Sequence, residues 1–244
     1  MKRRTFLTRV AAPTLFGPAS GLAARETGAH GASARAMPST RQHQTVATPI
    51  ARIEPQRAAL LVMDYQPAWI RTIPESDALL DRAVEAIDAA RAAGVRVAYT
   101  RVAFTAADYA AVPPGNIIFT QLTSEPGALD DDSPATAMDD RVAPEPGDKV
   151  VRKTRVSAFA RTDLDGWLRA LDIDTLLLAG ISTSGVVLST VCDAADRDYR
   201  VIVLADACAD RDAEIQDVLI HKIFPQRAQV GNVAGLSDLL RSMS

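Results

Sequence analysis

The sequence is poor in the residues that build metal clusters, disulfide frameworks and membrane spans. Its 244 residues include two cysteines and three histidines, too few for a zinc-finger array or a disulfide scaffold. It has no run of 18 or more apolar residues, so we expect no integral membrane span. With 48% hydrophobic and 23% charged residues, the composition excludes a disordered chain, a collagen and a coiled coil, and is typical of a globular protein.

Charge is unevenly distributed along the chain. The first 50 residues contain seven basic residues and one acid, whereas the remainder contains 20 basic and 29 acidic residues. An acidic body without a cluster of lysine and arginine argues against a nucleic-acid partner. The basic start and the acidic body therefore indicate two regions with different roles.

The basic N-terminal region resembles an export signal. An arginine pair, Arg3 and Arg4, precedes a weakly apolar stretch, which is the pattern of a twin-arginine signal peptide. The alternative is an unstructured tail with a chance arginine pair. We predict a signal peptide over residues 1–36, a linker over 37–52 and one domain over 53–244, with the mature protein periplasmic or secreted.

From residue 53 onward, short apolar runs alternate with helical periodicity. Strands are predicted over residues 58–63, 95–102, 149–152, 175–179, 201–204 and 228–230. Helices are predicted over residues 80–91, 164–171, 185–197, 215–223 and 236–240, with a capping box of Thr162 and Asp165 before the second. Residues 103–147 are expected to form a long, mostly irregular connection with one short helix. The alternation predicts an α/β fold, a single doubly wound, Rossmann-like parallel sheet with helices on both faces.

In such a sheet, ligands bind beyond the carboxyl ends of the strands. Asp64 follows the first predicted strand, Lys153 the third, the 180–185 turn the fourth and Asp206 the fifth. A carboxylate and an ammonium that meet in one pocket can relay a proton and hold an oxyanion. Taken singly, Asp64 could instead cap the next helix, and Lys153 could be a solvated surface side chain.

Three common motifs nearly match this sequence and fail. The 180–185 turn, Gly-Ile-Ser-Thr-Ser-Gly, has the glycine spacing of a P-loop, but valines stand where Lys and Ser/Thr are required. The turn is one residue too long for a nucleophile elbow, and His221 is the only histidine of the body that could serve as base. No Gly-x-Gly-x-x-Gly follows the first strand. We therefore expect no cofactor and no metal.

Three separate motifs together resemble the isochorismatase-like hydrolase family. They are Leu-Val-Met-Asp64-x-Gln66, then Lys153-x-x-x-Ser157-Ala-Phe159, then Gly180-Ile-Ser-Thr183 leading to Thr190-x-x-Asp193. The resemblance covers about residues 55–230 and implies the doubly wound sheet expected above. The wider superfamily includes cysteine hydrolases such as nicotinamidases and carbamoyl-amide hydrolases.

The resemblance implies a catalytic set of an Asp, a Lys and usually a Cys. Asp64 and Lys153 match the first two, but the family spacing places Val186 at the nucleophile position, so the chain lacks the family thiol. The isochorismatase branch also lacks this Cys and commonly has glycine there. Its enzymes cleave a vinyl ether with the Asp as proton donor and water as nucleophile. The Asp-and-His metal site of the nicotinamidases has no counterpart in this sequence.

Other side chains could replace the missing thiol. Cys192 lies on an apolar helical face and is expected to pack in the core, whereas Cys208 follows a strand and could rim the site. Ser182 and Ser184 are candidate hydroxyl nucleophiles, although the amides of their turn are better suited to form an anion nest. A disulfide between the two cysteines is a further possibility in an exported protein.

The sequence thus predicts a hydrolase of a small polar metabolite, with Asp64 as acid/base, Lys153 as charge stabiliser and no covalent cysteine intermediate. The alternative is a non-catalytic small-molecule-binding or scaffold protein that lost its nucleophile. We expect a homo-oligomer of two or more subunits. The residues predicted to line the oxyanion and substrate pocket are Gln66, Phe104, Asn116, Ser182, Thr183, Ser184 and Gly185.

Overall fold

Six strands form one parallel sheet. The computed structural model describes residues 50–125 and 127–240, so the predicted signal peptide and most of the predicted linker lie outside the described residues. The strands are β1 Ala58–Met63, β2 Arg96–Val102, β3 Lys149–Lys153, β4 Thr175–Ile181, β5 Arg200–Ala209 and β6 Gln229–Gly231. They lie in the order β3-β2-β1-β4-β5-β6, and every neighbouring pair is parallel. The predicted α/β fold class is confirmed.

Helices pack on both faces of this sheet. They are α1 Pro67–Ile70, α2 Ser76–Ala92, α3 Ala106–Ala110, α4 Ile117–Leu122, α5 Leu164–Ala170, α6 Leu188–Ala195, α7 Ala213–Val218 and α8 Leu236–Leu240. One hydrophobic cluster packs Leu60 and Val62 of β1 against α2 and α8, and a second packs Leu61 and Met63 against α5 and α6. Because both faces of β1 are buried, its sequence is a continuous apolar run.

Several helix boundaries differ from the sequence prediction. The predicted capping box of Thr162 and Asp165 does not form: the residue before α5 is Asp163, which makes no side-chain cap, and the Thr162 hydroxyl oxygen accepts from the Leu164 N–H at 3.5 Å rather than from the Asp165 N–H. The predicted 185–197 helix begins instead with a wide π-type turn, Thr183–Val187, from which α6 continues. The 103–147 connection contains two short α-helices rather than one, and a capping box of Thr105 and Asp108 starts the first of them.

Gly180 lets β4 approach β1 closely at the carboxyl edge of the sheet. It pairs with Met63 in the strand register. A Cβ atom on residue 180 would lie 3.0 Å from the Met63 Cβ and carbonyl oxygen and 3.2 Å from a Val187 methyl group. The Met63 carbonyl cannot move away without disturbing the strand pairing, so the packing requires glycine here.

Replacing Gly180 by alanine is expected to lower the free energy of unfolding by about 1–3 kcal/mol, because the added methyl group overpacks a buried strand pair. Gly166→Ala in α5 is the matched control, since among the described residues the added Cβ meets no atom within 4 Å apart from its chain neighbours and the backbone of its own helix, and alanine is favoured over glycine in a helix by about 1 kcal/mol. Urea unfolding of both variants measures the difference. A Gly180→Ala protein as stable as Gly166→Ala would contradict the packing account.

Candidate active site

Asp64 and Lys153 form a buried ion pair at the carboxyl ends of the strands. Lys153 Nζ lies 2.7 Å from Asp64 Oδ2, and the two side chains are 1% and 5% exposed respectively. Asp64 follows β1 and Lys153 ends β3, with β2 between them in the sheet. The parallel topology therefore brings together two residues that are far apart in sequence.

The backbone turns at Asp64 and fixes its carboxylate. Asp64 has a φ of +60°, a left-handed conformation that aspartate tolerates better than most residues. Its N–H donates to the Thr100 carbonyl at 2.9 Å, and its Oδ1 accepts from the Thr100 hydroxyl at 2.7 Å. Thr100 thus engages one carboxylate oxygen and Lys153 the other, which sets the orientation of the group.

The Lys153 ammonium has three hydrogen-bond acceptors around it. Besides Asp64, it donates to the carbonyls of Arg155 and Val156 at 3.2 and 3.0 Å. An ammonium carries three N–H donors, so this set uses its full capacity. A buried charge is tolerated only when it is paired and hydrogen-bonded, and this cation is both.

The protonation of Asp64 is set by opposing effects. Burial raises the pKa of the Asp64 carboxyl above its ordinary value, while the Lys153 ammonium and the Thr100 hydroxyl act against that rise. Desolvation disfavours the charged form of a carboxyl, and a nearby cation favours it. A carboxyl whose neutral form is favoured by burial can act as a general acid.

The turn after β4 begins beside Asp64 at the switch point of the sheet, between β1 and β4. Two of its amides already have partners: Ser184 N–H donates to Asp210 Oδ2 at 2.8 Å, and Gly185 N–H donates to the Ser182 carbonyl at 3.2 Å. A Cβ on residue 185 would lie 2.7 Å from Ser182 Oγ, so glycine keeps the turn tight. The predicted anion nest is therefore partly occupied by the Asp210 carboxylate.

The hydroxyl groups of this turn lack the partners of a nucleophile. Thr183 is fully buried, and its hydroxyl has no hydrogen-bond partner among the described residues. Ser182 is half-buried and Ser184 is exposed. Over residues 50–125 and 127–240, no hydrogen bond links either serine hydroxyl to a base.

Burial disfavours Cys208 as a nucleophile, and Cys192 lies on α6, beyond the 183–187 turn. Cys208 Sγ lies 3.6 Å from the Leu178 carbonyl oxygen, and burial raises the pKa of this thiol to about 12, so the reactive thiolate is disfavoured at neutral pH. Cys192 is half-buried on α6, and both cysteines are free thiols, so the disulfide that the sequence left open does not form. Val186 is buried in the cluster that contains α6.

Three residues expected in the pocket make other contacts. Gln66 is fully buried, and its amide donates to the carbonyl that ends β2 and to the Thr136 carbonyl at 3.0 and 2.8 Å. Its side chain therefore ties the backbone after Asp64 to β2 and to the long connection. Phe104 packs in a small cluster with Phe119 and also lines a cleft in the long connection. Asn116 caps α4 through its side-chain oxygen.

A cleft of about 760 Å³ lies beside Phe104, in the long connection after β2. Its lining includes Thr105 and Tyr109 and the acidic run from Asp130 to Asp132. Neither Asp64 nor Lys153 lines it. Its three aspartates disfavour an anionic ligand, and the ion pair is the better candidate for chemistry.

The described part of the chain has neither a metal-binding cluster nor a membrane-spanning helix. Across residues 50–125 and 127–240, no group of three or more His, Cys, Asp and Glu side chains is arranged to hold a metal ion. His221 is exposed and pairs with Asp217 on the surface. In the same part of the chain, no helix has the length and apolarity needed to cross a bilayer.

Two residues that shape the site escaped the sequence analysis. Thr100 is a fully buried polar residue within the otherwise apolar core of β2. A buried polar residue needs a hydrogen-bond partner, so a threonine within this apolar run was the sequence signal that could have identified it. Asp210 escaped because β5 continues beyond the predicted 201–204 run. Asp206, which the sequence favoured at this strand end, instead accepts from the Val233 N–H at 2.9 Å.

Replacing Lys153 by methionine is expected to raise the pKa of the Asp64 carboxyl further, because the stabilising cation is removed while burial remains. A pH titration of the Asp64 carboxyl ¹³C resonance measures this pKa. Lys149→Met is the control, since Lys149 lies on the same strand but pairs with Asp163 at 2.5 Å. An unchanged or lower Asp64 pKa in Lys153→Met would show that the two side chains do not share a site.

Comparison with known sequences gives a consistent set of matches. A family profile described as "Isochorismatase domain" matches residues 58–235. Ureidoacrylate amidohydrolase of Methylorubrum extorquens is 34% identical over 196 residues, which cover 68% of this chain and 77% of that protein. N-carbamoylsarcosine amidase of an Arthrobacter species is 31% identical over 161 residues, covering 64% of this chain. The match spans 60% of the length of that amidase.

Solved structures of similar sequence share the fold. A cysteine hydrolase from Pseudomonas syringae pv. phaseolicola superposes with a TM-score of 0.71 at 26% identity, covering 80% of this chain and 98% of that one. N-carbamoylsarcosine amidase from Thermoplasma acidophilum gives a TM-score of 0.61 at 28% identity, covering 72% and 96%. The matched region of the sequence contains all six strands and both members of the ion pair.

Proposed function

The chain belongs to the isochorismatase family of hydrolases, and from that premise we propose that it hydrolyses a small polar metabolite with Asp64 as acid/base and Lys153 as charge stabiliser. The observation that carries the proposal is the buried 2.7 Å contact between the two groups. Burial favours the neutral carboxyl before proton transfer, and the ammonium stabilises the carboxylate that forms afterwards.

The proposed reaction has no covalent cysteine intermediate. By the family spacing, the nucleophile position is Val186, which is 2% exposed and offers no nucleophilic atom. The raised pKa of the Cys208 thiol argues against a substitute from β5. Water is then the remaining nucleophile, as in the thiol-free branch that the sequence resembles.

Two reaction classes occur among the relatives, and the thiol-free site favours one. Ureidoacrylate amidohydrolase, N-carbamoylsarcosine amidase and maleamate amidohydrolase are named for amide substrates, whereas the family is named for isochorismate. An enol ether needs only an acid and water: Asp64 protonates the terminal carbon, water adds to the resulting oxocarbenium carbon, and the hemiketal breaks its C–O bond to release an alcohol and a ketone. One water is consumed: one of its protons returns to Asp64, and the other passes from the hemiketal hydroxyl to the departing oxygen, which leaves as the alcohol.

A second candidate is a small-molecule-binding protein without turnover. Val186 favours it, because an apolar side chain at the nucleophile position leaves the fold and the ion pair in place without the family thiol. A panel of isochorismate, ureidoacrylate, maleamate and N-carbamoylsarcosine, assayed for products and for thermal shift in parallel, separates the two. The hydrolase proposal expects release of product from isochorismate. Thermal shifts without product across the panel would favour the binding protein.

We further propose that residues 1–36 direct export, that 37–52 link this signal to the domain at 53–244, and that the mature protein is periplasmic or secreted. Replacing both Arg3 and Arg4 by lysine is expected to leave the protein in the cytoplasm, because the twin-arginine route requires the pair. Cell fractionation with N-terminal sequencing measures the outcome. Unaltered protein found in the cytoplasm with an intact N-terminus would contradict the proposal.

We propose that the chain binds a small-molecule substrate and further copies of itself, as a homo-oligomer of two or more subunits, and that it binds no nucleic acid. Sedimentation at micromolar concentration tests the assembly, and a monomer there would overturn it.

A further inference from the structure

The backbone partners of Lys153 belong to an irregular segment. Residues 154–159 follow β3 and form bends and turns rather than a helix or a strand. Within this segment, the carbonyls of Arg155 and Val156 accept from the ammonium. A lysine side chain has large rotamer freedom, so the position of its ammonium depends on the groups that accept its hydrogen bonds. Two of these acceptors are carbonyls of the segment, so the ammonium is fixed only if the segment is fixed.

One face of α6 anchors this segment. The Ser157 hydroxyl donates to Asp193 Oδ2 at 2.8 Å, and the Ala158 N–H donates to Thr190 Oγ1 at 3.1 Å. Thr190 and Asp193 are three residues apart, so they lie on the same side of the helix. The Ser157 oxygen also accepts from the Phe159 N–H at 3.2 Å, which extends the anchored stretch.

Asp193 is itself held in place by Arg197, in the turn that follows α6. Arg197 Nε donates to Asp193 Oδ1 at 2.8 Å. The same guanidinium lies 5.1 Å from the centre of the Phe159 ring. Both carboxylate oxygens of Asp193 therefore accept hydrogen bonds, one from Ser157 and one from Arg197. These two bonds fix the orientation of the carboxylate that holds Ser157.

We infer that Ser157 and Asp193 are positioning residues for Lys153: their hydrogen bond holds residues 154–159 so that two backbone carbonyls keep the ammonium against Asp64. Both residues act through the segment. Its catalytic consequence rests on the proposed function, because correct placement of Lys153 matters for turnover only if the ion pair does chemistry. The placement itself can be measured without substrate.

The test titrates the Asp64 carboxyl by ¹³C NMR in Ser157→Ala, Asp193→Ala and Ser157→Thr. The first two are expected to raise the Asp64 pKa toward its value in Lys153→Met, because the ammonium loses its fixed place. Ser157→Thr keeps the hydroxyl, so the Asp64 pKa of this variant is expected to equal that of the wild-type protein.

The two alanine variants are also expected to affect turnover. On any panel substrate that is turned over, they should lower kcat about tenfold with little change in KM.

Asp174→Ala is the matched control. Asp174 directly precedes β4, so it lies at the amino ends of the strands, away from the ion pair. Asp174 also accepts from an arginine, Arg57 Nε at 2.8 Å, and from a hydroxyl, Thr175 Oγ1 at 2.8 Å. An Asp64 pKa that stays at the wild-type value in both Ser157→Ala and Asp193→Ala overturns the inference, and so does an equal rise in Asp174→Ala. If Asp193→Ala fails to fold, the two Ser157 variants decide alone. Failure of the proposed function would appear separately, as absence of turnover in the wild-type protein.

Discussion

Asp64→Asn is expected to lower kcat by about 10²–10⁴-fold, the usual contribution of a general acid, with the fold intact. The amide cannot donate a proton to a carbon or an oxygen of the substrate. It can still accept from Lys153 through Oδ1 and donate to the Thr100 hydroxyl through Nδ2, in place of the two contacts that the carboxylate makes. The substitution therefore removes the acid and keeps the geometry.

Asp206→Asn is the control for this change. Asp206 also follows the apolar part of a strand, but its carboxylate accepts from the Val233 N–H and lies outside the ion pair. Steady-state kinetics on a panel substrate compares the two variants, and circular dichroism checks that each is folded. Full activity of Asp64→Asn, or equal losses in both variants, would contradict the assignment of Asp64.

Lys153→Met is expected to lower the maximal kcat/KM by about 10²-fold, the cost typical of losing one group that stabilises charge in a transition state. Proton donation leaves a carboxylate in a buried site, and in this variant no cation faces it. The pH profile should also move. In the wild-type protein kcat/KM falls as pH rises through the raised pKa of Asp64, because the acid form is lost.

In Lys153→Met that fall should occur at higher pH, because the Asp64 pKa rises further when the cation is removed. A lower plateau with a profile shifted to alkaline pH distinguishes lost charge stabilisation from simple unfolding. Lys149→Met, which removes a lysine from the same strand, should leave both features unchanged. An unaltered plateau and profile in Lys153→Met would remove Lys153 from the mechanism.

The sheet and the placement of Asp64 and Lys153 at its carboxyl edge could be predicted because they depend on local signals. The apolar run at residues 58–63 marks a strand buried on both faces, and the rule for parallel sheets places the residues that follow such strands at one edge. Asp64 and Lys153 needed no more than that. Their contact, across the intervening β2, follows from the strand order.

The remainder of the site depends on partners that the sequence pattern does not reveal. Gln66 was expected to face substrate, yet backbone carbonyls from β2 and from residue 136 take its amide. Ser184 was expected to offer its N–H to an anion, yet Asp210 takes it, because β5 is longer than its apolar run. Such tertiary hydrogen bonds have no periodicity in sequence, so only the folded structure assigns them.

On the proposed mechanism, this hydrolase works with a buried acid and water rather than with a thiol. The most direct test is isochorismate hydrolysis by the Cys192→Ala/Cys208→Ala variant, measured beside the wild-type protein and Asp64→Asn. We predict that kcat/KM of the thiol-free variant equals that of the wild-type protein, while that of Asp64→Asn is lower by about 10²–10⁴-fold. Loss of turnover on removal of the thiols, with activity retained in Asp64→Asn, would contradict the account.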